Sequence, residues 1–154
     1  MDPGDRYRII TFDQMVEVAR RVGPVSIGVA AAHDPEVLKA VDQASREGMV
    51  QATLVGDRPE IEAYAAQTNA NLTQVRIIHQ PDPILAARQV VGLARTGQAD
   101  VVVKGQIKTA DLLSIALNRE IGIRGRGLLS HVGIFELPGM DRLIYLSDSG
   151  VVIA

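Results

Sequence analysis

Between Thr11 and Asn118, short apolar runs alternate with longer segments whose apolar residues recur every three or four positions. The first kind predicts strands and the second amphipathic helices. Phe12, Met15, Val16, Val18 and Ala19 predict a helix over Thr11–Arg21, stopped at Gly23-Pro24. Val25–Ala30 predicts a strand running into a helix start, where Asp34 caps, Pro35 takes the first position and Glu36 suits the positive end. That helix extends to Arg46, with Gly48 as its stop. Ala52–Val55 and Val75–His79 predict further strands, followed by helices over Pro59–Gln67 and Ile84–Arg95, the latter begun by Asp82-Pro83. Val101–Lys104 and a helix over 110–119 complete the fourth strand–helix pair. Such alternation predicts the α/β class, a three-layer α/β/α domain with a mostly parallel sheet and helices on both faces. After Asn118 the pattern changes. Leu128–Leu137, a Pro138–Asp141 turn and Arg142–Ser147 predict an antiparallel hairpin near the C-terminus. Residues 1–154 are expected to form one such domain, with the polar residues 1–10 partly disordered.

The stretch from Asp100 to Leu113 concentrates the candidate chemistry. Three consecutive valines predict a strand buried on both faces. Lys104 and Gly105 leave its carboxyl end, Lys108 follows, and Thr109 is placed to cap the next helix with Asp111 in its first turn. Free backbone N–H groups, a helix N-terminus and two ammonium groups at one spot suit an anion such as phosphate. Strand–loop–helix turns with a glycine are common to α/β proteins, and the sequence is neither a Walker loop nor a G-x-G-x-x-G fingerprint.

Composition narrows the function classes. A net charge of −2 and an aromatic content of 3% give no basic surface or stacking platform for nucleic acid. With no cysteine there is no disulfide, thiolate metal site or cysteine nucleophile, which fits a reducing, cytoplasmic setting. No apolar run reaches the ~18 residues of a membrane span. His and carboxylates lack ligand spacing, so no protein-held metal is expected.

Residues after each parallel strand converge on one sheet edge. Besides Lys104 and Gly105, that edge gathers His33, Asp34, Gly56, Asp57 and His79. His33 either binds phosphate, acts as an acid–base group or assists the adjacent cap, and His79 suits a turn. Arg124 and Arg126, spaced by glycines, form a flexible basic loop suited to phosphate or merely to solvent. Ser130 and His131 could both donate hydrogen bonds, but adjacent strand side chains face opposite ways and make no triad.

With these residues laid out, the chain resembles the phosphate acetyl/butyryltransferase family, closest to the butyryltransferase branch. The carriers are Val-Ala-Ala-Ala-His-Asp at 29–34, Leu-Val-Gly-Asp at 54–57, Ala-Asp-Val-Val-Val-Lys-Gly with Thr109 at 99–109, the block Leu128–Gly139, and Ser-Asp-Ser-Gly at 147–150. The resemblance implies exchange of an acyl group between coenzyme A and phosphate, with coenzyme A as substrate and no tightly bound cofactor. It also implies that Lys104, Gly105, Thr109, Ser130 and His131 line the phosphate side of a cleft, with Arg124, Arg126, His33, Asp34 and Asp148 as further candidates. Family members are roughly twice as long, and their second half carries a catalytic serine–aspartate set. This chain therefore resembles the N-terminal half and is expected to be weakly active or inactive alone. Val152 also stands where the family often has asparagine after the Asp148 segment. The expected partners are small-molecule substrates, together with a second copy or the missing half. The alternatives are a phosphate- or coenzyme-A-binding module without chemistry, and an oligomerising fragment whose strand edges pair with another chain.

Overall fold

Three aspartates set the starts of three helices that return from the sheet. In the computed structural model, which describes residues 9–125 and 129–153 (backbone path only for 148–153), Asp34 Oδ1 accepts from Glu36 N–H and Val37 N–H at 2.9 and 3.1 Å. Asp57 Oδ1 accepts from Glu60 N–H at 3.2 Å, and Asp82 Oδ1 from Ile84 and Leu85 N–H at 2.8 and 2.9 Å. A proline follows each aspartate within two residues, where a missing N–H costs nothing. Asp82→Ala is expected to lower stability by about 1 kcal/mol, seen as a lower urea midpoint at unchanged slope.

The elements run α1 Phe12–Val22, β1 Val25–Ala30, α2 Pro35–Arg46, β2 Val50–Gly56, α3 Arg58–Thr68, β3 Arg76–His79, α4 Pro83–Arg95, β4 Val101–Lys104, α5 Thr109–Ala116, β5 Leu129–Glu136 and β6 Leu143–Ile153. The predicted elements all form, and the expected α/β class holds. The chain divides into two units, Gly23–Arg124 with the parallel sheet, and α1 with the β5–β6 hairpin. The expectations for residues 1–8, for Arg126 and for Ala154 fall outside the described residues.

The parallel strands take the order β3-β2-β1-β4. Alternate residues feed the two layers. Val29 and Leu54 pack with Leu38, Val41, Ile61 and Ala65 from α2 and α3. Ala30 and Val55 pack with Ala87, Val90, Val91, Leu112 and Ile115 from α4 and α5. β4 corrects one expectation. Val102 and Val103 reach opposite layers but are only partly buried, and Val101 is 44% exposed. The cause is topological: β4 is an edge strand, while β1 occupies the centre.

In the other unit, Thr11 Oγ1 accepts from Gln14 N–H and Gln14 Oε1 from Ile10 N–H, a reciprocal cap that starts α1. Glu136 accepts from Phe12 N–H at 2.7 Å, tying α1 to the hairpin. β5 and β6 pair antiparallel from Glu136↔Leu143 to Val132↔Ser147, then shift register before Ser130↔Val152. His131 alone lies between those last two pairs on β5, against residues 148–151 on β6. β6 also runs further than the predicted Arg142–Ser147. Among the described residues no helix is long and apolar enough to cross a membrane.

Candidate functional site

The strand order reverses direction between β1 and β4, because the chain moves outward from β1 to β3 and then returns to the opposite side. The connections that leave their carboxyl ends therefore turn to opposite faces of the sheet, and the crevice between them is the usual ligand position in an open α/β sheet. A cavity of about 310 Å³ lies there, lined by Asp34, Lys104, Gly105, Gln106, Ile107 and Lys108.

Close backbone packing forms its floor. Gly105 N–H donates to Ala30 O at 2.9 Å and Gln106 N–H to Ala31 O at 2.7 Å. A Cβ on Gly105 would stand 2.3 Å from Ala31 O. On the other side of the same turn, a Cβ on Gly56 would stand 2.9 Å from Ala32 N. The Ala30–Ala32 turn, fully buried and with Ala31 at φ 52, is thus wedged between two glycines. These bonds correct the expectation of free N–H groups in the Lys104–Lys108 loop: those of Gly105 and Gln106 are consumed.

The open donors lie one step further along. Lys108, not Thr109, is the N-cap of α5, and it makes no side-chain cap hydrogen bond. Thr109 is the first helical residue because the helix starts one residue earlier than the cap pattern suggests, with Asp111 and Leu112 N–H both reaching Lys108 O. The N–H groups of Thr109 and Ala110 have no intrahelical acceptor. α2, α3 and α4 each fill that position with their own aspartate, whereas no side chain caps the positive end of α5. Asp111 offsets part of that charge from the first turn.

The two lysines differ. Lys104 Nζ donates to Gly105 O and Ile107 O, both at 3.1 Å, which leaves one of its three donors unused. Lys108 is exposed and has no hydrogen-bond or ion-pair partner among the described residues. Of the chain's 16 lysine and arginine residues only Lys39, Lys104 and Lys108 are lysines, so two of three stand in this one cavity. Generic surface charge is left to arginine. Asp34 sits beside these cations, with Oδ1 holding two N–H groups and Oδ2 accepting from Gln106 Nε2 at 3.0 Å. Gln106 escaped the sequence reading, its only signal being its place between the two lysines.

The remaining candidates distribute as follows. His33 makes no cap hydrogen bond: its ring lies against Gly56, with Nδ1 buried and unpartnered and Nε2 4.0 Å from Glu60 Oε2. His79, expected only to turn the chain, ends β3 and accepts Arg58 N–H at 3.1 Å on Nδ1, holding the first N–H of α3. Arg124 is exposed. In the segment before it, Asn118 Oδ1 accepts from Glu120 and Ile121 N–H, and Ile123 N–H reaches Ala116 O at 2.8 Å. Ser130 and His131 are exposed on β5, at the register shift, in the unit that does not contain Lys104. Asp148 lies on β6, and its side chain is outside the description. Among the described residues no three His, Asp or Glu side chains cluster to hold a metal ion.

No protein-family model matches the chain. It is 37% identical over 138 residues to a phosphate butyryltransferase of Clostridium beijerinckii, covering 90% of this chain and 46% of that protein. It is 34% identical over 142 residues to a phosphate acetyltransferase of Thermotoga maritima, covering 92% of this chain and 48% of that one. Among solved structures, a branched-chain phosphotransacylase from Enterococcus faecalis superposes with a TM-score of 0.65 at 26% identity, over 82% of this chain and 43% of that one. The fold is also that of a phosphotransacetylase from Staphylococcus aureus, with a TM-score of 0.70 at 17% identity over 90% of this chain and 51% of that one. The chain spans about half the length of the curated relatives it matches.

Proposed function

We propose that this chain, which belongs with the phosphate acetyl/butyryltransferase family over the half of its members' length that it spans, carries the phosphate side of acyl transfer between coenzyme A and phosphate. The observation that carries this reading is the meeting of Lys104 and Lys108 in the crevice where the strand order reverses, beside α5, which unlike α2, α3 and α4 is not capped by a carboxylate of its own. In the acyl-phosphate-consuming direction, the thiolate of coenzyme A attacks the acyl carbon and phosphate leaves with its negative charge. Lys104, Lys108 and the first N–H groups of α5 hold that phosphoryl group and stabilise its charge as it develops. Gly105 permits the turn that places them, and the Thr109 hydroxyl adds a donor at the same end. Ser130, His131, Arg124 and Arg126, with His33, Asp34 and Asp148, are the further cleft candidates. Coenzyme A is substrate rather than bound cofactor, and the general base comes from the half of the relatives that this chain does not span. A cytoplasmic setting, and association with a second copy or with that remaining half, belong to the same reading.

The test couples binding to turnover. Calorimetric titration with inorganic phosphate is expected to give a Kd on the order of 1 mM, about −4 kcal/mol. Butyryl-CoA and phosphate are expected to release no thiol above background from the chain alone. Absence of phosphate binding overturns the proposal. Thiol release that disappears in Lys104→Ala overturns the dependence on the remaining half. The half-length span favours a second reading, a phosphate- or coenzyme-A-binding module without chemistry. Phosphate binding without turnover, even after the remaining half of a butyryltransferase is added, decides for it.

A further inference from the structure

Resting on the phosphate-side reading above, we propose that Lys108 is an acylation site for the acyl phosphate that the crevice handles, and that its modification weakens the site by removing a cation. The three lysines of the chain stand in three different conditions. Lys39 Nζ is held 2.7 Å from Glu36 Oε1, an ion pair it keeps only as an ammonium. Lys104 Nζ is turned onto the carbonyls of Gly105 and Ile107, so it swings onto an acyl carbon only by breaking those hydrogen bonds. Lys108 Nζ has no partner among the described residues and lines the same cavity. An acyl phosphate whose phosphoryl group sits on Lys104 is held in the cavity that Lys108 also lines, a proximity that raises the local concentration of an electrophile.

The step balances without any further reactant. The neutral amine of Lys108 attacks the carbonyl carbon, and a C–N bond forms. The C–O bond to phosphorus-bound oxygen breaks, and inorganic phosphate leaves with the electron pair. The surplus proton on nitrogen passes to water. Only the neutral amine is a nucleophile, so the rate rises with pH. The product is an uncharged amide where an ammonium stood, and the next phosphate meets a weaker site. Accumulated acyl phosphate thereby lowers the capacity of the chain that binds it.

The test incubates the chain with butyryl phosphate at fixed pH, with and without excess inorganic phosphate, and follows acylation of Lys39, Lys104 and Lys108 by peptide mass spectrometry. Acetic anhydride, which has no phosphoryl group, serves as the comparison reagent. Lys108 is expected to react at least about tenfold faster than Lys39 with butyryl phosphate, to slow when phosphate is added, and to lose most of that preference with the anhydride. Equal rates at Lys39 and Lys108, or faster reaction at Lys104, overturn the inference. If calorimetry still shows phosphate binding, only the inference falls. Undiminished preference with the anhydride, together with no slowing by phosphate, overturns the phosphate-site reading as well. Pre-incubation with butyryl phosphate is expected to weaken phosphate binding about tenfold in the unsubstituted chain and to leave that of Lys108→Arg at its own starting value. An equal fall in both assigns the loss to another residue and overturns the regulatory part.

Discussion

Gly105→Ala is expected to destabilise the parallel-sheet unit by about 3 kcal/mol, the upper part of the range for overpacking a closed site. The added carbon would stand 2.3 Å from Ala31 O, 2.8 Å from Ala30 O and 2.9 Å from the Ala31 carbonyl carbon. All three are backbone atoms, so no side chain can swing aside. The relief available is a shift of the loop after β4 away from β1. That shift breaks the bonds from Gly105 N–H to Ala30 O and from Gln106 N–H to Ala31 O. The two carbonyls belong to fully buried alanines and would be left without partners, which costs more than the bonds themselves contribute. Gly92→Ala is the matched comparison. A Cβ there meets nothing within 4 Å, and the residue lies inside α4, where alanine is favoured by about 1 kcal/mol. One added methyl group should therefore lower the urea midpoint at 105 and raise it at 92. A midpoint for Gly105→Ala within error of the parent would mean that the two loops do not meet as described.

The second large effect is on binding. Lys104→Ala combined with Lys108→Ala is expected to weaken phosphate binding by more than about a hundredfold, since a hydrogen bond to a charged group contributes roughly 1.5–3 kcal/mol. The single variants separate two roles. The Lys108 side chain is exposed and has no hydrogen-bond or ion-pair partner among the described residues, so Lys108→Ala removes charge and should leave stability within about 0.5 kcal/mol. Lys104 also secures Gly105 O and Ile107 O, so Lys104→Ala should lower both phosphate affinity and the urea midpoint. Unchanged affinity in the double variant would place the phosphate elsewhere on the chain.

Local physics made much of this protein readable in its sequence. The Asp-Pro pairs at 34–35 and 82–83 announce helix starts because a cap reaches only two or three residues along the chain. The apolar runs announce strands because burial on a sheet imposes its own period, and four strand–helix pairs leave few topologies. The same locality made Lys104, Gly105 and Lys108 visible as one cluster. What lay beyond sequence was set by contacts between distant segments. That β4 is an edge strand follows from the order of pairing, which three valines cannot encode. That the N–H groups of Gly105 and Gln106 are spent depends on carbonyls some 75 positions earlier in the chain. Gln106 reaches Asp34 across 72 positions, and no periodicity marks such a pair. The sequence by itself determined the elements, their caps and the residues gathered at one sheet edge, because each is fixed by neighbours within a turn or two. Only the tertiary structure decided which donors at that edge are already satisfied and which remain for an anion, because hydrogen-bond partners are chosen by packing.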